Sequence, residues 1–161
     1  MTASTTAMRV AELLDAHNQA LALLARVEAS GIIQPGRTEK QIGKDILALA
    51  KSDFGIERRW HKELVRSGSN TSLTFADGSS DRTLESEDMI TIDLGPVFAE
   101  WEADIGRTYY LGQDPDGHKL VQDLPRIFDT LRSSLLANPD QTGAELYAEP
   151  CLFPKILAGA S

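Results

Sequence analysis

At 161 residues, 42% of them hydrophobic, the chain is one domain's worth of sequence with enough apolar side chains to bury a core. Sixteen basic against twenty-four acidic side chains give a net charge of −8, which argues against a nucleic-acid backbone or an anionic membrane surface as partner. No apolar run reaches the roughly eighteen residues of a membrane span, Cys151 is alone and gives no disulfide framework, and the N-terminus lacks the basic start and apolar core of a signal peptide. A cytoplasmic protein is the expectation.

Residues 1–7 are small and polar and are expected to be disordered. Over residues 8–30, Val10, Leu13, Leu14, His17, Leu21, Leu24 and Val27 recur at helical spacing, which places His17 in or beside the core. Gly31 closes that helix. After the Pro35-Gly36 turn, Thr38 and Gln41 have the form of a capping box opening a second helix, with Ile42, Ile46, Leu49 and Ala50 on its buried face. Residues 51–59 are charged, hold Gly55 and read as a connection. Residues 60–66 read as the start of a sheet, and residues 67–88, rich in Ser, Gly, Asn, Asp and Thr, as a long loop or loose hairpin.

Two strands folded back on each other follow. Residues 89–94 and 103–111 are rich in β-branched and apolar side chains, with Gly95-Pro96 breaking the first run. A turn centred on Phe98-Ala99 sets Asp93 opposite Asp104, with Ile90, Ile92, Leu94, Ala103, Ile105 and Tyr109 on one face. Thr91, Asp93, Glu102, Asp104, Gly106 and Thr108 fill the other. Opposed carboxylates destabilise a sheet unless neutralised. A divalent cation would do this with oxygen ligands, and so would solvation or pairing with Arg107 or a lysine; spacing alone leaves both open. Arg107 fits either a support for a ligand carboxylate or a structural salt bridge.

Asp114 and Pro115 suit the N-cap and first turn of a third helix with apolar positions at Leu120, Leu124, Ile127, Phe128, Leu131 and Leu135; His118, one turn in, is expected to face solvent. Asn138-Pro139 and Thr142 then repeat the pattern that follows the first helix: a Pro turn, a Thr cap and another helix. Pro150 and Pro154 break this fourth helix. No Gly-rich phosphate loop, Ser/Cys–His nucleophile pair or zinc-type Cys/His cluster is present.

Asp93-Leu94-Gly95, followed eleven residues after Asp93 by the aspartate of Ala-Asp-Ile-Gly-Arg-Thr, resembles the metal-binding hairpin of the pita-bread metallopeptidases. That superfamily includes methionine aminopeptidase, Xaa-Pro aminopeptidase, prolidase and creatinase. Trp60-His61-Lys62, Val65-Arg66-x-Gly68-x-Asn70-Thr71 and the phrase over residues 95–112 are most similar to its Xaa-Pro branch. Ser67, where methionine aminopeptidases carry a histidine, points the same way. The resemblance covers residues 8–149. It implies an α+β domain, the first half of a pita-bread fold, with a small antiparallel sheet packed on helices. It also implies Asp93 and Asp104 as ligands of a two-metal centre holding manganese, cobalt or zinc, and hydrolysis of N-terminal peptide bonds of Xaa-Pro type.

His61 fits a substrate-facing position or an ordinary loop histidine; Asn70 and Thr71 fit the mouth of the cleft or a turn. The family's remaining ligands, a histidine and two glutamates, have no matching positions here. An incomplete domain over residues 8–161, with the family pattern lost after about residue 149, is therefore expected to be inactive by itself. A truncated, catalytically silent module that binds or dimerises is the second expectation, and exposed apolar area favours a homo-oligomer. Creatinase-like chemistry without metal is disfavoured by the intact aspartate pair.

Overall fold

The computed structural model describes residues 3–150, so Cys151 and the predicted break at Pro154 lie outside the described residues. The chain divides between Gln113 and Asp114 into two compact units. The first contains α1 (Ala3–Ala29), α2 (Glu39–Phe54), β1 (Leu64–Ser67), β2 (Met89–Leu94), β3 (Val97–Phe98), β4 (Trp101–Glu102) and β5 (Ile105–Tyr110); the second contains α3 (Pro115–Ala137) and α4 (Gly143–Ala148). Helices and a small antiparallel sheet make the expected α+β arrangement.

β1, β2 and β5 form one antiparallel sheet in the order β1-β2-β5, and β3 and β4 extend the β2–β5 hairpin beyond Leu94 and Ile105. Alternate residues of β2 are buried: Ile90 and Ile92 are fully enclosed and Leu94 nearly so. They pack with Leu23, Leu24 and Val27 of α1 and Ile42, Ile46, Leu49 and Ala50 of α2 in a single core. Each large side chain enclosed in this way stabilises the fold by about 1.5–3 kcal/mol. Leu84 closes the core from the long loop, its backbone exchanging hydrogen bonds with Gly36 and Arg37.

Three local expectations change. α1 begins at Ala3, not Met8, and its buried stripe is Ala16, Ala20, Leu23, Leu24 and Val27. The small side chains at 16 and 20 allow close approach to the hairpin, while Val10, Leu13, Leu14 and Leu21 stay exposed. His17 falls outside that stripe and is solvent-exposed, a correction to its expected core position. α2 continues to Phe54 through residues read as a connection, because Lys51, Ser52 and Asp53 lie on its outer face. Gly55 ends it in the left-handed conformation (φ 65°), donating to the carbonyls of Ala50 and Lys51.

The capping box at Thr38 forms as expected, and an equivalent one at Thr142 opens α4. Asp114 caps α3, in which Leu120, Leu124, Phe128 and Leu135 are exposed and Asp123 is held by Lys119 and Arg126. His118 is exposed, as expected. Among the described residues no helix is long and apolar enough to cross a membrane.

Candidate metal centre

The hairpin closes one residue later than the sequence suggested. Ala99 adopts φ 53°, so the turn is built on Ala99-Glu100, and Phe98 pairs with Trp101. Asp93 therefore stands opposite Gly106, not Asp104. The register moves by two residues in all, which preserves the faces: Thr91, Asp93, Gly106 and Thr108 still share the polar side. The hydroxyls of Thr91 and Thr108 meet at 3.2 Å. Asp104 becomes a diagonal neighbour of Asp93, and the missing side chain of Gly106 leaves the space between them open.

A third group reaches the pair from upstream. The 58–61 segment is bonded along the hairpin: Val97 donates to the Arg58 carbonyl (3.0 Å), Trp60 N–H to the Gly95 carbonyl (3.0 Å) and Trp60 Nε1 to the Ala103 carbonyl (2.9 Å). The edge of Trp60 packs against the His61 ring, with centroids 4.4 Å apart. His61 Nδ1 lies 2.8 Å from the Lys62 carbonyl oxygen, which can only accept, so Nδ1 carries a proton and Nε2 is the nitrogen left to meet a cation. Nε2 points at both aspartates, 3.7 Å from Asp93 Oδ1 and 3.9 Å from Asp104 Oδ1. The close approach of these side chains to the backbone is what fixes glycine at position 95.

The ligand atoms of His61, Asp93 and Asp104 all lie within 4.8 Å of one another. Donors around one tetrahedral ion at about 2.1 Å are separated by roughly 3.4 Å, so small side-chain adjustments would bring these three onto a common centre. Two carboxylate oxygens and one imidazole nitrogen are a mixed donor set that a divalent metal ion can take. Burial pushes the Asp93 carboxyl above its usual range; the charge of Asp104 adds to the shift and His61 opposes it. A bound cation would reverse that imbalance.

The other candidate residues have different partners. Asn70 is buried, its amide donating to both Glu39 oxygens and to the Ser80 carbonyl, and the Thr71 hydroxyl donates to the Gly68 carbonyl. Both side chains therefore bond within the first unit's own loop network. Arg107 lies on the apolar side and reaches Glu28 of α1 at 3.7 Å, which settles its alternatives in favour of a structural ion pair. Sequence reasoning had singled out His61 without linking it to the aspartates, because the connection is made by loop backbone bonds that leave no periodic signal.

The sequence matches the model of metallopeptidase family M24 over residues 11–151. It is 25% identical over 126 residues to the Xaa-Pro dipeptidase of Pyrococcus furiosus, covering 78% of this chain and 34% of that protein. Among solved structures it is similar to the X-Pro aminopeptidase of Thermotoga maritima MSB8, with a TM-score of 0.61 and 25% identity over 77% of this chain and 35% of that one. It is also similar to dipeptidase PepE from Mycobacterium ulcerans, with a TM-score of 0.59 and 30% identity over 75% of this chain and 33% of that one. The chain thus spans about a third of the length of these relatives, and the fold it shares with them is that of the pita-bread peptidases. With the matched region taking in both helices of the first unit, the hairpin and the His-Asp-Asp cluster, the chain belongs to metallopeptidase family M24.

Proposed function

We propose that this chain carries the first-half ligands of a metal-dependent peptidase acting at the N-terminal end of peptides, at bonds of Xaa-Pro type. The convergence of His61 Nε2 on Asp93 and Asp104 carries the reading, because it assembles a mixed nitrogen and oxygen donor set at the family's hairpin. Asp93 and Asp104 supply anionic oxygen donors, and His61 supplies a neutral nitrogen whose tautomer is set by the Lys62 carbonyl. Trp60 and Gly95 hold the imidazole in place. A divalent ion bound there would supply Lewis-acid activation of water and of the scissile carbonyl.

Three protein donors bind a cation without fixing the pair of metals that this hydrolysis uses, so the chain by itself is inactive in this reading. Complementation by the missing ligands, in a longer chain or across a homo-oligomer, would restore turnover. Calorimetric titration with Mn²⁺ tests the centre: binding should be abolished in an Asp93→Ala, Asp104→Ala variant. Equal binding by the variant would refute the assignment.

The second reading is a catalytically silent binding or dimerising module. The exposed apolar side chains of α1, among them Leu13, Leu14 and Leu21, favour it. Sedimentation of the purified chain over a concentration series separates the two readings when combined with the metal titration: concentration-dependent association without Mn²⁺ binding supports the module.

A further inference from the structure

Strand β5 lies at one end of the sheet, and among the described residues no strand pairs with its outer side. The Leu111 amide donates to the Asp88 carbonyl, continuing the ladder in which Tyr109, Arg107 and Ile105 stand opposite Ile90, Ile92 and Leu94. Backbone groups alternate in direction along an antiparallel strand, so the N–H and C=O of Gly106, Thr108 and Tyr110 point away from β2. No proline or lysine guards this edge, and Gly106 and Arg107 are exposed. The opposite edge is answered within the chain: the Ser67 amide of β1 donates to the Glu39 carboxylate at 2.6 Å.

A second copy of β5 answers these groups in one register. Opposed residues of an antiparallel pair either both direct their backbone groups into the gap or both direct them away, so only registers that match positions 106, 108 and 110 among themselves form hydrogen bonds. Two such registers centre on the strand Ile105–Tyr110. The first is centred on Arg107 and opposes two guanidinium groups, like charges that destabilise a sheet. The second is centred on Thr108. It matches Thr108 with Thr108, a favourable cross-strand pair. It sets Arg107, which pairs with Glu28 of its own copy, opposite the ring of Tyr109. It also sets Tyr110 opposite Gly106, which has no side chain to obstruct it. All three outward-facing residues then exchange both of their backbone bonds with the second copy.

We propose that the free edge of β5 is a self-association surface, on which a second copy of this chain adds its own β5 antiparallel about a two-fold axis at Thr108. Side chains keep their faces in this register. The helices α1 and α2 of both copies therefore cover one side of a continuous sheet, and the carboxylates of both lie on the other. Asp104 stands opposite position 112 of the second copy, so the two Asp104 residues are about 27 Å apart along the strands. Each copy keeps its own His61–Asp93–Asp104 cluster, and pairing does not complete the metal centre. The proposal rests on the dimerising-module reading, to which it adds the surface and the register, and it is independent of metal binding.

Sedimentation and cross-linking of the purified chain, in EDTA and in a Cys151→Ser background, test the edge. The chain should associate with rising concentration, and more tightly in added salt, which screens the repulsion between two copies of net charge −8. Thr108→Pro removes an N–H that the pairing with β2 does not use, so it should keep the fold and weaken association by about tenfold or more. Thr108→Cys sets two Cα atoms about 5.5 Å apart across the axis, within disulfide reach, and oxidised glutathione should convert it to a covalent dimer. In Arg107→Cys the two positions are diagonal, about 7–8 Å apart, and cross-linking should be about tenfold slower. Faster cross-linking through Arg107→Cys would overturn the register. Association unchanged by a folded Thr108→Pro variant, or no cross-linking through Thr108→Cys, would overturn the edge and leave the module reading to another surface. A chain that stays monomeric at every concentration overturns both. The cysteine variants decide the matter if Thr108→Pro unfolds.

Discussion

Gly95 and His61 are fitted to each other: a Cβ on Gly95 would lie 2.6 Å from His61 Nε2 and 2.8 Å from Trp60 Nε1. No side chain can be added there unless the imidazole moves, and the imidazole is what meets both aspartates. Gly95→Ala should therefore lower Mn²⁺ affinity by about tenfold or more and cost about 1–3 kcal/mol of stability from overpacking. Calorimetry and denaturant unfolding on the same variant check both. Unchanged metal affinity would mean that His61 is not a ligand.

Asp93 gives a pH dependence opposite to that of an ordinary paired carboxylate. Its pKa is raised in the folded chain, first by burial and then by the charge of Asp104, against the attraction of His61. The native state then holds its proton more tightly than the unfolded state, so metal-free stability falls as pH rises from the unfolded carboxylate value through the folded one. Asp93→Asn removes that penalty. In EDTA the variant should unfold at a higher denaturant concentration than the parent at pH 7, with the difference closing near pH 3. The same variant should lose Mn²⁺ binding, separating the group's functional value from its cost to the fold.

Much of this arrangement is legible in the residues. Thr38 with Gln41, and Asp114 with Pro115, announce helix starts because a side-chain oxygen or a missing N–H answers a free backbone donor. The alternation of β2 correctly assigns both faces of the hairpin. It cannot fix the register, since turns centred on 98–99 and 99–100 give the same two faces, and the left-handed residue is Ala99 rather than a glycine. His17 lies on the stripe of Val10, Leu14 and Leu21, which stays exposed, whereas the buried stripe runs through Ala16 and Ala20, whose small side chains give little apolar signal. The union of His61 with the aspartates depends on loop-to-hairpin hydrogen bonds, which no pattern of side-chain types encodes.

The contact between α1 and α2 should show the opposite pH behaviour from Asp93. The Ser52 hydroxyl donates to the Asp53 carboxylate, and Arg26 of α1 donates to it at 2.8 Å, so the carboxyl sits below its usual range. A lowered folded pKa stabilises the native state above the unfolded carboxylate value, and that contribution is lost as pH falls through the folded one. Carbon-detected titration of Asp53 should find a midpoint below 3.8, moving up in Ser52→Ala and again in Arg26→Gln. Because the pair is exposed, added salt should reduce the Arg26 effect and leave that of Ser52. A midpoint that does not respond to either substitution would rule out the helix-to-helix contact in solution.

Glu39 joins the N-terminus of α2 to the turn that follows β1. Its buried carboxylate accepts the Ser67 amide at 2.6 Å, the Ser67 hydroxyl at 2.9 Å and the Asn70 amide at 3.0 Å. Glu39→Ala leaves both Ser67 donors enclosed without an acceptor and the Asn70 amide with the Ser80 carbonyl alone, and should cost about 3 kcal/mol or more, read as a lower unfolding midpoint at unchanged denaturant slope. Asn70→Ala removes one donor and leaves the two from Ser67 in place, so it should cost about 1–2 kcal/mol. The sequence alone also allowed Asn70 to act at the cleft, and the two roles predict different results. A structural Asn70 lowers stability and leaves Mn²⁺ and peptide affinity unchanged, whereas a substrate-binding Asn70 lowers peptide affinity with little effect on unfolding. The four hydrogen-bonding contacts of Glu39, two of them to the Asn70 amide, make the structural result the expected one.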